Sequence, residues 1–156
     1  MQRHDIDIEL VIEDDVEAVF DAWINPEQLT RWLAPEAKIE PAEGGAYELY
    51  WEPERPEVNS TRGCRITEIV PNRELSFSWR GPEEYAEIMK DRTAVFLRFE
   101  RCEGGTRLRL VHTGWGSSPE WQEAREWQSE AWREAIDQLK DMLENTDKFL
   151  ENISLN

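Results

Sequence analysis

The sequence predicts an α+β domain in which a curved antiparallel sheet of about six or seven strands is covered by one long C-terminal helix. Three observations predict it. Residues 4–13 alternate apolar and acidic side chains, as a half-buried strand does. Between residues 38 and 112, further alternating runs are separated by Gly, Pro and Asn turn signals, which gives neighbouring strands rather than helical crossovers. After Pro119 neither Gly nor another Pro occurs before Ile153, and apolar residues recur at helical spacing.

The elements follow in order. In the first strand Ile6, Ile8, Leu10 and Ile12 share one face, with Val11 the exception on the other. Asp14 and Asp15 are placed to cap a short helix bearing Val16, Val19, Phe20 and Trp23. Asn25-Pro26 ends it and opens a second short helix with Leu29, Trp32 and Leu33 inward. A short strand at 38–41, a Gly44-Gly45 turn and a strand at 46–52 come next, with Tyr47, Leu49 and Trp51 on one face. A polar loop spans 53–60. The run 61–70 alternates imperfectly, as a bulged strand does. Past the Pro71-Asn72 turn, Leu75, Phe77 and Trp79 alternate with polar residues. An acidic connection at 81–91 has room for one helical turn. Val95, Leu97 and Phe99 mark a strand that turns at Glu103-Gly104-Gly105 into another, with Leu108, Leu110 and His112 inward and Arg107 and Arg109 outward. Ser117 or Ser118 caps the last helix, about thirty residues or roughly 45 Å long. Trp121, Ala124, Trp127/Gln128, Ala131/Trp132, Ala135, Leu139, Met142/Leu143, Thr146, Leu150 and Ile153 form its inner stripe.

The 156 residues suit one domain, 1–156, large enough to bury a core without staples. No run has the roughly 18 apolar residues that span a bilayer, and the N-terminus lacks the apolar core of a secretory signal, so a cytoplasmic location is expected. Cys64 and Cys102 have neither a CxxC partner nor metal-type spacing, which predicts two structural thiols. The net charge of −16 disfavours nucleic acid and anionic membrane surfaces, both of which need a basic footprint. Abundant Glu beside only four lysines suits a salt-rich cytosol, where screening relieves self-repulsion.

Several segments resemble one family. Val16-Glu17-Ala18-Val19-Phe20-Asp21-Ala22-Trp23, Asn25-Pro26-Glu27-Gln28-Leu29 and Arg31-Trp32 are similar to its helix pair. Gly44-Gly45-Ala46-Tyr47-Glu48-Leu49, Pro71-Asn72-Arg73-Glu74-Leu75 with Phe77 and Trp79, and Gly104-Gly105-Thr106-Arg107-Leu108-Arg109-Leu110-Val111-His112 resemble its hairpins. Trp132, Ile136, Leu139 and Leu143 resemble its final helix. The family is that of activator of heat-shock protein 90 ATPase homologue-like domains, in the START/Bet v 1-like (SRPBCC) superfamily. The resemblance implies a helix-grip fold with a cavity between sheet and long helix. It also implies a role among ligand binders, co-chaperone domains and a few cyclases. Fold follows from such a likeness more securely than function does. The acidic loops at 53–60 and 81–91 and the eight tryptophans depart from the pattern and bear on the cavity mouth.

No HExxH, phosphate loop, GxSxG or dinucleotide glycine motif is present, and no cofactor or metal site is expected; Glu83, Glu84, Glu87 and Asp91 read as a solvated acidic loop. Tyr47, Trp51, Phe77, Trp79, Phe99 and His112, with Trp127 and Trp132 from the helix, are the candidate cavity wall, although each suits an ordinary core as well. His112 is the one candidate acid or base. The leading expectation is non-enzymatic binding of a small lipid-like or aromatic molecule by a monomer or dimer. The alternatives are a co-chaperone-like or stress-related protein-interaction domain, and a cyclase- or hydrolase-type enzyme using His112.

Overall fold

The structure is a computed structural model that describes residues 4–89 and 93–154, with the side chains of the last helix as far as Asn145. The chain runs β1 (Ile6–Ile12), α1 (Val16–Ile24), α2 (Pro26–Trp32), β2 (Glu36–Ile39), β3 (Tyr47–Tyr50), β4 (Ile66–Val70), β5 (Glu74–Trp79), α3 (Ala86–Met89), β6 (Thr93–Cys102), β7 (Gly105–Thr113) and α4 (Pro119–Ser154). Five strands form one antiparallel sheet in the order β1-β7-β6-β5-β4, and β2 pairs with β3. Single bridges from Ala46 to Arg65 and from Tyr50 to Ser60 carry the curvature across from β3 to the β4 side. This is the helix-grip arrangement: a bent sheet whose concave face is covered by α4.

Alternation sets the inner face. In β6, Val95, Leu97 and Phe99 are buried while Phe96 and Arg98 point out; in β7, Leu108, Leu110 and His112 are buried. The outer face carries cross-strand ion pairs, Arg109 with Asp7 (2.7 Å) and Arg107 with Glu9 (3.3 Å). The irregularity expected in the fourth strand is a register shift between Ile66 and Glu68. That strand is shorter than expected, because residues before Ile66 turn to follow the bend. Residues 90–92, where the acidic connection ends, lie outside the described residues.

Asp15 occupies the N-cap of α1 without a side-chain bond; instead its own N–H donates to Asp14 Oδ1 at 2.8 Å. Asn25 caps α2, accepting from the Glu27 N–H at 3.0 Å, with Pro26 behind it. At α4, Ser118 is the cap, its hydroxyl accepting from the Trp121 N–H. The buried stripe of α4 is Ala124, Gln128, Trp132, Ile136, Leu139 and Leu143, so Gln128 takes the inward place beside Trp127. The sequence pattern alone left Gln128 and Trp127 undecided.

Polar contacts fasten α4 along β1. Arg125 donates to the carbonyls of His4 and Asp5, Lys140 Nζ to the Val11 carbonyl (3.1 Å), and the Glu13 N–H donates to Glu144 (3.0 Å). The helix also rests on α1 and α2. It is therefore held on the β1 side of the sheet, and the gap over β3 and β5 is left to aromatic side chains.

Candidate functional site

Three aromatic donors lock the corner where the helices meet the sheet. Tyr47 donates its hydroxyl proton to the Trp23 carbonyl (2.6 Å), Trp32 Nε1 to the Ala22 carbonyl (2.9 Å) and Trp51 Nε1 to the Leu33 carbonyl (3.0 Å). These carbonyls belong to the ends of α1 and α2, where no intrahelical donor remains. The corner is thereby fixed, with Tyr47 stacked on Phe77 at 3.9 Å.

Beyond this corner lies a cavity of about 330 Å³. Leu33 follows α2, Trp51 follows β3, and Trp79, Arg80, Gly81 and Pro82 leave β5. Trp127, Gln128, Ala131 and Trp132 come from α4, while Asn59 and Ser60 come from the polar loop. The indoles of Trp79 and Trp132 meet at 4.9 Å, and Trp51 stands edge-on to Trp79 at 6.0 Å. Trp127, 44% exposed, sits at the rim against Tyr85. Asn59 ties the two acidic loops together at the mouth: its Nδ2 donates to Glu52 and its Oδ1 accepts from the Glu83 N–H at 2.8 Å.

Inside, Trp79 Nε1 donates to Gln128 Oε1 at 3.1 Å. An indole N–H can only donate, so the atom facing it is the carboxamide oxygen, and Nε2 keeps both of its N–H groups for other partners. The helical pattern marks Leu33, Gln128 and Ala131 as inward without marking them as cavity residues, and it does not mark Asn59, Ser60, Arg80 or Pro82.

Of the eight candidates from sequence, Trp51, Trp79, Trp127 and Trp132 line the cavity. Tyr47, Phe77, Phe99 and His112 do not; they are buried in the core beyond it. Phe99 packs edge-on against Phe20 at 5.1 Å. His112 is fully enclosed by Trp79, Trp115 and Trp132, and its Nδ1 accepts from Trp132 Nε1 at 3.0 Å. Accepting at Nδ1 places the proton of the neutral ring on Nε2, which has no partner among the described residues. Burial lowers the pKa of His112 to about 3, so the ring is neutral at physiological pH. Among the described residues no acidic, His or Cys cluster suits a metal ion, and no helix is long and apolar enough to cross a membrane.

A family model described as Activator of Hsp90 ATPase homolog 1-like protein matches residues 15–144. No curated protein matches the chain. Solved structures do. A Mesorhizobium loti protein has a TM-score of 0.75 at 21% identity, covering 91% of this chain and 98% of that one. A Staphylococcus saprophyticus protein has a TM-score of 0.70 at 20% identity, covering 90% and 91% respectively. A Colwellia psychrerythraea protein, described as an Aha1 dimer in solution, has a TM-score of 0.68 at 18% identity, covering 89% and 95%. The helix grip, its element order and the matched family model together make this chain a member of the Activator of Hsp90 ATPase homolog 1-like family.

Proposed function

We propose that the protein, as a single domain, binds a small hydrophobic molecule, lipid-like or aromatic, in the cavity between sheet and α4 and does not transform it. The observation that carries this reading is the wall itself. Four indoles with Leu33, Pro82 and Ala131 line a partly open cleft of about 330 Å³, the size and apolar character of small-molecule sites. His112 gives little support to a catalytic alternative, since it is neutral, enclosed and behind the wall. Cys64 and Cys102 form no disulfide, in keeping with a cytoplasmic setting.

Calorimetric titration with ethylnaphthalene tests the reading. The wild type is expected to bind it one-to-one with a negative heat-capacity change, and Ala131→Trp, which fills the space, is expected not to bind. Binding by both proteins alike contradicts it, as does a wild type that takes up neither ethylnaphthalene nor its ketone analogue, acetylnaphthalene.

A protein-contact role is the second reading. Phe96 is 47% exposed on the outer face of β6, paired in register with Val111, and the Colwellia relative is described as a dimer. Sedimentation of wild type and Phe96→Ser checks it: a dimer that dissociates in the variant supports the contact, and two monomers count against it.

A further inference from the structure

The cavity wall is apolar except at a few points, and one of these is placed unlike the rest. Gln128 is 3% exposed, yet its Nε2 makes no hydrogen bond among the described residues and is not sealed off as Trp23 Nε1 and His112 Nε2 are. Its Oε1 is committed to Trp79 Nε1, so the carboxamide cannot turn over without setting N–H against N–H. The nitrogen is thus a fixed donor on the cavity wall. The other polar wall side chains each have a partner outside the cavity wall. Ser60 donates to the Pro56 carbonyl (2.7 Å), Asn59 is held between Glu52 and Glu83, and Arg80 Nη2 donates to the Glu57 carbonyl (3.2 Å).

We propose that the cavity selects a small apolar ring or short chain bearing one uncharged acceptor oxygen, a ketone, aldehyde, ester or amide carbonyl, which Gln128 Nε2 receives. The proposal rests on the reading of the cavity as a ligand site. Size follows from volume: a dry cavity of about 150 Å³ takes a benzene, so one of this volume takes a molecule of roughly two rings. Charge follows from the surroundings. The chain carries −16, and Glu52, Glu54, Glu57, Glu83 and Glu84 lie on the mouth loops, which repel a carboxylate before it arrives. Inside, the buried donor among the indoles is a neutral carboxamide, which matches a carbonyl and does not repay the desolvation of an anion, while the one cationic wall residue, Arg80, bonds the Glu57 carbonyl at the exposed mouth. A buried donor also discriminates against the ligand that lacks an acceptor, because its N–H groups are then left dry.

Three naphthalenes of matched size test this on the full chain: acetylnaphthalene, ethylnaphthalene and naphthoate. Calorimetry is expected to rank the ketone about five- to tenfold above the ethyl compound, with naphthoate weakest. In the wild type, the side-chain amide NMR signals of Gln128 are expected to shift with the ketone and to move much less with the ethyl compound. Gln128→Leu is expected to bring the ketone down to the ethyl compound's affinity. Equal affinities in the wild type, an unmoved Gln128 amide, or naphthoate binding most tightly overturns the proposal while leaving the cavity a ligand site. If none of the three binds, the cavity reading falls and the proposal with it. The NMR arm uses wild-type protein, so it holds whether or not the variant folds.

Discussion

Acidification should weaken the fold through His112, and the effect can be worked through. The ring is buried without a counter-charge, and desolvation lowers its folded-state pKa to about 3. In the unfolded chain a histidine titrates near 6.5. Between those values the unfolded state binds one more proton than the folded state. Stability is therefore complete above about pH 6.5 and falls as pH drops toward 3, by about 1.4 kcal/mol per unit. From pH 7 to 5 the loss is about 2 kcal/mol, a large part of a typical net stability. The carboxylates held low by arginine partners, such as Asp7 beside Arg109, act in the same direction at lower pH, so the histidine must be isolated by difference. His112→Asn does this, since Asn Oδ1 occupies the place of Nδ1 and can still accept from Trp132. Urea unfolding at pH 7, 6 and 5 is expected to show the wild type losing about 2 kcal/mol more than the variant. Parallel curves for the two proteins would refute the account of a neutral, enclosed ring.

Three further outcomes are expected. Tyr47→Phe removes the bond to the Trp23 carbonyl and leaves a buried acceptor at the end of α1, so urea unfolding should show a loss of about 1–3 kcal/mol; a loss below about 0.5 kcal/mol would mean that the corner is not held there. Gly105 has a φ of +142°, and a Cβ added to it would stand 2.1 Å from the Ile12 carbonyl oxygen, so Gly105→Ala should destabilise by about 2 kcal/mol or more and not behave as a neutral exchange. With a net charge of −16, the melting temperature should rise from low salt to molar potassium chloride as the screening length shrinks from about 10 Å at 0.1 M to about 3 Å at 1 M; a flat profile would show that self-repulsion does not limit the fold.

Strand faces and the covering helix were legible in the sequence because two-residue and helical periods report which side of an element is buried. The bulge near Ile66 was legible for the same reason: broken alternation has few other causes. Parity does not report depth. Tyr47, Phe77, Phe99, His112 and Trp79 all face the concave side, yet of these only Trp79 lines the cavity. Which of them α4 covers depends on long-range contacts that seat it along β1, Arg125 to His4 and Asp5 and Lys140 to Val11, which no local pattern encodes. Gln128 shows the same limit. Helical spacing leaves Trp127 and Gln128 as equal candidates for the inner stripe, and it is the indole N–H of Trp79, 49 positions earlier, that satisfies the buried carboxamide oxygen. A Gln on the four-residue ladder with Ala124 and Trp132 was the available signal.

The central claim is that the space under α4 holds a ligand. Native mass spectrometry of gently purified protein, with released molecules identified after denaturation, tests it most directly. The account predicts one small apolar passenger per chain, or its uptake from a library of lipids and aromatic metabolites, and loss of that passenger in Ala131→Trp. A wild-type protein that stays at its bare chain mass after the whole library would contradict it.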